Sequence, residues 1–176
     1  MQLAQVLDVI AAALDASGHP DIAEVRRYGQ GTEQSPGGVA VRWQYGNGAS
    51  SYLADSRLKV ESVLPTPARI PAPQEKLSRL PVFVVQLLDV AQPTDVIRSW
   101  ELVALADIGP KGQSGTVPAG VRLVGADGKA IVLHATYGSG QIKEPEIDPH
   151  PEYQIPSEVT SWKKHLRVNA PSAAQR

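Results

Sequence analysis

Residues 39–53 read Val-Ala-Val-Arg-Trp-Gln-Tyr-Gly-Asn-Gly-Ala-Ser-Ser-Tyr-Leu, and no other stretch of the chain restricts the fold so tightly. Apolar and polar side chains alternate around Asn47-Gly48, the pair preferred at the centre of a two-residue type I′ hairpin turn, where both positions need positive φ. A turn of that length sets the register. Gly46 opposes Ala49, Tyr45 opposes Ser50 and Trp43 opposes Tyr52. Val39, Val41, Trp43, Tyr45 and Tyr52 then share one face, with Arg42, Gln44 and Ser51 on the other.

The rest of the chain continues in short elements. Residues 22–28 and 58–63 read as strands, and 82–90 and 99–106 as buried strands, each rich in Val, Ile or Leu. Residues 121–135 form a second hairpin around Asp127-Gly128, pairing Gly125 with Ala130, Leu123 with Val132 and Val121 with His134. Both of its faces are apolar, which suits the inside of a barrel or sandwich. Residues 2–16 carry Leu3, Val6, Leu7, Ile10 and Leu14 at helical spacing, and Gly18 and Pro20 stop that helix. Ser157 is placed to cap a closing helix with Val159, Trp162 and Leu166 on one side. Lys163, Lys164, His165 and Arg167 fall at its end, as the helix dipole favours.

Four prolines in residues 65–73 rule out a helix or central strand there, leaving a semi-rigid linker or an extended surface strap. The expected fold is mainly β (α+β): small antiparallel barrel-like or sandwich units with a helix near each end. Its expected divisions are a helix and small β domain over 1–64, a Pro-rich linker or strap over 65–76, and a barrel-like domain over 77–176.

Composition narrows the function. Aromatic residues are only 5% of the 176, so Leu, Val, Ile and Ala must build the core. The 17 basic residues against 18 acidic ones are spread evenly along the chain, without the positive excess that phosphate-backbone binding needs. The absence of cysteine removes disulfides, thiolate metal sites and a Cys nucleophile. No secretory signal or membrane-length apolar run is read, so a soluble, cytoplasmic protein is expected.

Two stretches resemble the small Src-homology-3-like β-barrels of the Tudor and KOW type. The first is the hairpin from Val41 to Gly48 followed by Ser51-Tyr-Leu and Ser56-Arg-Leu-Lys-Val-Glu. The second is Glu101-Leu-Val-Ala-Leu, then Gly115-Thr-Val-Pro-Ala-Gly, then the Asp127-Gly128 hairpin. The resemblance implies a binding module for peptide or nucleic acid, with Trp43, Tyr45 and Tyr52 as the residues that could form an aromatic cage.

Three patterns could carry chemistry. Trp43, Tyr45 and Tyr52 on one hairpin face could stack bases or hold a cation, with Arg42, Arg57 and Lys59 nearby for phosphates. Packed against the first helix, the same rings would instead be core. Glu144, Glu146, Asp148, His150 and Glu152 alternate through an acidic, Pro-rich run. Asp148, His150 and Glu152, joined by His134, could ligate a divalent metal for hydrolysis. Pro145, Pro149 and Pro151 favour an exposed, extended strap whose side chains point separately into solvent. Finally, the loop from Gly109 to Gly115 lacks the spacing of a phosphate loop and precedes a strand.

No catalytic constellation stands out and no cofactor is expected. The leading expectation is a non-catalytic binding, adaptor or inhibitor protein acting through protein–protein contacts. Nucleic-acid binding through the first hairpin comes second and metal-assisted hydrolysis third. Dimerisation through the first helix is an alternative use of its apolar stripe.

Overall fold

The computed structural model describes residues 3–29, 37–45, 49–138 and 144–167. In chain order these form α1 (Leu3–Ser17), β1 (Ile22–Tyr28), β2 (Gly38–Trp43), β3 (Ser50–Ser56), β4 (Val60–Leu64), α2 (Lys76–Ala91), β5 (Ile97–Leu105), β6 (Gly120–Gly125), β7 (Ala130–Gly138) and a closing 3-10 helix (Ser157–His165). The seven strands make one antiparallel sheet in the order β1-β2-β3-β7-β6-β5-β4.

The sheet is open, which corrects the expected barrel-like units. Neither hairpin curls back on itself, because β3 pairs along its whole length with β7, from Ser50↔Gly138 to Ser56↔Val132. Strands from both sides of residues 65–76 therefore lie in one sheet. The order αβββ occurs twice, as α1-β1-β2-β3 and α2-β5-β6-β7, with the β3–β7 pair joining the two runs and β4 added beside β5.

One face of the sheet supplies the main core. Val25, Val39, Val41, Trp43, Leu53, Leu102, Val121, Leu123, Leu133 and Ala135 pack there with α1, α2 and the 3-10 helix. The opposite face carries Glu24, Arg26, Ala40, Arg42, Ser50, Tyr52, Ala54, His134, Thr136, Arg122 and Glu101 in successive cross-strand rows. A second, smaller core of Val103, Leu105 and Ala119 covers that face at β5, so it is open mainly over β1–β3, where Arg26 and Arg42 are exposed.

Residues 82–90 are helical, a correction to the strand expected there. They belong to α2, whose Leu80, Val84, Leu87, Leu88 and Ala91 recur at helical spacing and are all buried. An unbroken apolar run fits a strand or a buried helix equally, and α2 packs on the sheet beside α1, which itself lies against β1 and β2. Pro81 lies inside α2 and forgoes one backbone donor there. The apolar stripe of α1 is consumed within the chain, since Leu7, Ile10 and Leu14 are each no more than 2% exposed.

Both hairpin registers differ from expectation. Arg42 opposes Ser50 and Val39 opposes Leu53, and the Trp43 amide donates to the Ala49 carbonyl at 3.0 Å. Trp43 thus faces Ala49 instead of Tyr52. The turn residues 46–48 lie outside the described residues. The shift sends Leu53 into the core and Tyr52 to the outer face. Burying a leucine in place of a tyrosine that keeps its hydroxyl in water outweighs the preference for a two-residue turn. In the second hairpin Val121 pairs with Leu133 and Val124 with Ala130, one residue from the expected register. Gly125 and Lys129 close a three-residue loop, and Gly128 at φ +83° takes its left-handed position. That single step puts Val121, Leu123 and Leu133 on the core face together.

Residues 65–76 form a strap along α2. The Pro67 carbonyl accepts from Gln86 Nε2 at 2.9 Å and the Pro71 carbonyl from Arg79 Nη1 at 2.6 Å. The closing helix is 3-10 and begins after Pro156, without the side-chain cap expected from Ser157. Val159 and Trp162 are its buried residues, while Leu166 is exposed.

Candidate functional site

The most heavily charged interior position is Arg79, in the second turn of α2 with only 1% of its surface exposed. Gly18, at φ +59°, ends α1 and turns the chain through His19 and Pro20 to Asp21. Arg79 Nη2 lies 2.7 Å from Asp21 Oδ2. The Trp43 and Tyr45 rings stack 5.7 Å apart at 12°, and the guanidinium sits 5.2 and 5.7 Å from their centroids. Trp43 is itself fixed by its indole N–H, which donates to Ser51 Oγ at 2.8 Å.

The acidic strap closes over this pair. Asp148 Oδ1 is 3.9 Å from Arg79, His150 Nε2 is 3.1 Å from Asp21 Oδ1, and His150 Nδ1 is 3.6 Å from Glu152. At its start, the buried Glu144 pairs with Lys76 at 3.1 Å. At its end, the Tyr153 hydroxyl donates to the Ser17 carbonyl at 2.6 Å. The expectation of separate solvated side chains is therefore corrected. Buried Arg79 and Asp21 supply partners that an isolated acidic strap would lack.

Burial dominates the electrostatics. The His19 imidazole is held down at about 4 by burial, assisted by Arg79. Its Nδ1 accepts the Asp21 amide at 3.0 Å, so the neutral ring carries its proton on Nε2, packed beside Tyr153 and Phe83. Burial also pushes the Asp21 carboxyl above its ordinary value, while Arg79 and His150 pull it back. The Tyr45 phenol is raised by burial, and the Tyr153 phenol is pushed up to about 12 for the same reason. The charges pair with one another, although Arg79 Nε and Glu144 Oε1 are buried without a hydrogen-bond partner among the described residues, and His150, Asp148 and Lys76 form the partly exposed rim of the cluster.

The expected aromatic trio is split. Trp43 is 4% exposed and Tyr45 stacks on it beneath Arg79, whereas Tyr52 lies on the other side of the sheet. The sheet brings Tyr52 together with Arg42 and with Arg26, which the sequence reading had not singled out. Arg26 and Tyr52 flank Ala40 across β1, β2 and β3, and Glu24, Arg42 and Ser50 form the adjacent row. Those six residues line a recess of about 150 Å³ whose floor is the buried Ala40. Tyr28 packs its ring over Gly38 and meets Tyr52 edge-on at 6.4 Å, buttressing the recess.

His134 lies on the outer face opposite Ala54, away from the strap, and burial lowers its pKa. Among the described residues no group of three or more His, Asp or Glu side chains is arranged to hold a metal ion, so Asp148, His150 and Glu152 do not assemble with His134 as a ligand set. Part of the Gly109–Gly115 loop, with His134, Thr136 and Tyr137, lines a groove of about 710 Å³ beside the start of α2. Sequence order hid that neighbour, because the helix comes earlier in the chain than the loop.

Arg79, Asp21 and Tyr153 escaped the sequence reading. The available signal was Arg79 alone, one charge between Leu77 and Val85 in an apolar segment, which a buried helix tolerates only when a partner is supplied. No helix among the described residues is long and apolar enough to cross a membrane. The molecule is thus defined as a two-layer α+β fold whose sheet is open on its outer face over β1–β3, with an internal ionic clamp. No family model, curated protein or solved structure matches the chain.

Proposed function

We propose that this is a non-catalytic binding protein that recognises a partner protein on the uncovered face of its sheet. The observation that carries the reading is the division of labour between the two faces. Asp21, Arg79 and His150 on the helix side are bound to one another. The other face presents Arg26, Arg42, Tyr52, Arg122 and Glu101 with no helix over them. Arginine and tyrosine are favoured in recognition surfaces because each combines a large contact area with directional hydrogen bonding.

The test is comparative capture. The full chain and an Arg26→Glu/Arg42→Glu variant are immobilised and exposed to the same lysate, and retained proteins are quantified by mass spectrometry. Circular dichroism confirms that both are folded. The reading expects a protein retained by the wild type and lost from the variant. Identical retention by both, or turnover of a small molecule without any specific retention, would contradict it.

A further inference from the structure

We propose that the recess between Arg26, Arg42, Ser50 and Tyr52 binds a single phosphate monoester carried on a side chain of the partner protein. This rests on the proposed use of the uncovered face for protein recognition and names the chemistry recognised there.

Three features argue for it. First, the recess gathers two guanidinium groups and two hydroxyls around a shallow floor. Each guanidinium offers a planar fork of donors, suited to bidentate contact with a phosphate. Two such forks with the Tyr52 hydroxyl offer more donors than the roughly four acceptor sites of a carboxylate can use, and suit the three terminal oxygens of a phosphate monoester. Second, the recess, of about 150 Å³, has room for one such group. Third, the cations do not continue as a track. The next arginine along the face, Arg122, is already paired with Glu101. The whole chain carries a formal charge of −1. Repeated phosphodiesters need repeated cations, so a polynucleotide fits this face less well than one phosphorylated side chain.

Glu24 supplies the specific test. Its carboxylate lies 3.4 Å from Arg42 Nη2, with both side chains about half exposed. A pair that open to solvent is weak and readily exchanged. Glu24 therefore occupies the arginine that an arriving phosphate needs, and it repels the dianion. Removing it should strengthen binding, the opposite of what loss of an ordinary contact residue does.

The experiment titrates the full chain with inorganic phosphate and follows amide NMR signals of Ala40, Arg42 and Tyr52. A saturable shift confined to this region is expected. It should weaken about tenfold in Arg26→Gln and in Arg42→Gln, the loss expected for a charge-assisted hydrogen bond, and tighten in Glu24→Gln. In a second arm, lysate capture is repeated after phosphatase treatment, and a single-stranded oligonucleotide is titrated alongside phosphate. Loss of the captured protein after phosphatase supports the proposal. Absence of a saturable phosphate shift, weakening by Glu24→Gln, or oligonucleotide binding tighter than phosphate would overturn it. Capture that depends on Arg26 and Arg42 but survives phosphatase would overturn the phosphate chemistry alone and leave the binding reading standing.

Discussion

Arg79 and Asp21, 58 residues apart in sequence, form an ion pair of 2.7 Å with 1% and 4% of their side-chain surfaces exposed. The pair ties the start of α2 to the turn between α1 and β1, and the strap closes over it through His150 and Asp148. Removing one partner leaves the other charged and buried. Arg79→Met is expected to cost about 3–5 kcal/mol, measured by urea unfolding. Adding Asp21→Asn to Arg79→Met should recover part of that loss, because the orphaned charge is gone. An Arg79→Met variant as stable as the wild type would show that the pair is not desolvated as described.

Acid should act through His19. Its folded pKa, about 4, lies below the ordinary 6.5. Between those values the unfolded chain takes up a proton that the folded chain refuses. The stability from the neutral ring is therefore complete above pH 6.5 and is lost as pH falls toward 4, a change of about 3 kcal/mol. His134, also lowered by burial, adds in the same direction, whereas Asp21, raised by burial, opposes it at the acid end. Comparing unfolding free energies of the wild type and His19→Asn across this range isolates the His19 part. The slope should be shallower in the variant, and parallel curves would contradict the assignment.

Gly38 has a negative φ, yet its hydrogen is required. A Cβ at that position would collide with the Tyr28 ring and approach the Leu53 carbonyl oxygen to 2.8 Å. Gly38→Ala should therefore destabilise by about 2 kcal/mol or more, within the range for local overpacking. Combining it with Tyr28→Ala should not restore stability, because the backbone oxygen stays in place. Thermal unfolding of the single and double variants checks both statements.

The register of β2 and β3 has a simple consequence. Leu53 is fully buried, while Tyr52 stands on the outer face. Leu53→Ala is expected to cost about 2–5 kcal/mol by leaving a cavity. Tyr52→Ala should cost clearly less in the same denaturation experiment. Reversed magnitudes would restore the register in which Trp43 opposes Tyr52.

Local alternation made most strands legible. Val39, Val41 and Trp43 declared both a strand and its buried face, and residues 22–28 and 99–106 lie within one or two residues of β1 and β5. What local rules could not supply was partnership. Nothing near Ser50 shows that it will pair with Gly138, so an open sheet was indistinguishable from two small closed units. Turn chemistry suggested Trp43 opposite Tyr52, but the burial of Leu53 chose the pairing. In 82–90 an apolar run without a polar stripe concealed its period. At the candidate sites, Arg42 and Tyr52 were visible as aromatic and basic hairpin residues. Their third partner, Arg26, lies on another strand. Asp21 and Arg79 meet only through the packing of α2 beneath the turn after α1, which no spacing rule encodes.

The central claim is that recognition occurs on the uncovered face of the sheet. Methyl NMR with cross-saturation from the captured partner reads this most directly, because the two faces carry separate reporters. Ala40, Ala54, Val124 and Val132 belong to the outer rows, and Val39, Val41, Leu123 and Leu133 to the core face. Saturation should reach Ala40 and Ala54 first, beside Arg26 and Arg42, and leave the core-face methyls unaffected. Saturation centred instead on the strap and the 3-10 helix, with Ala40 and Ala54 silent, would contradict the account.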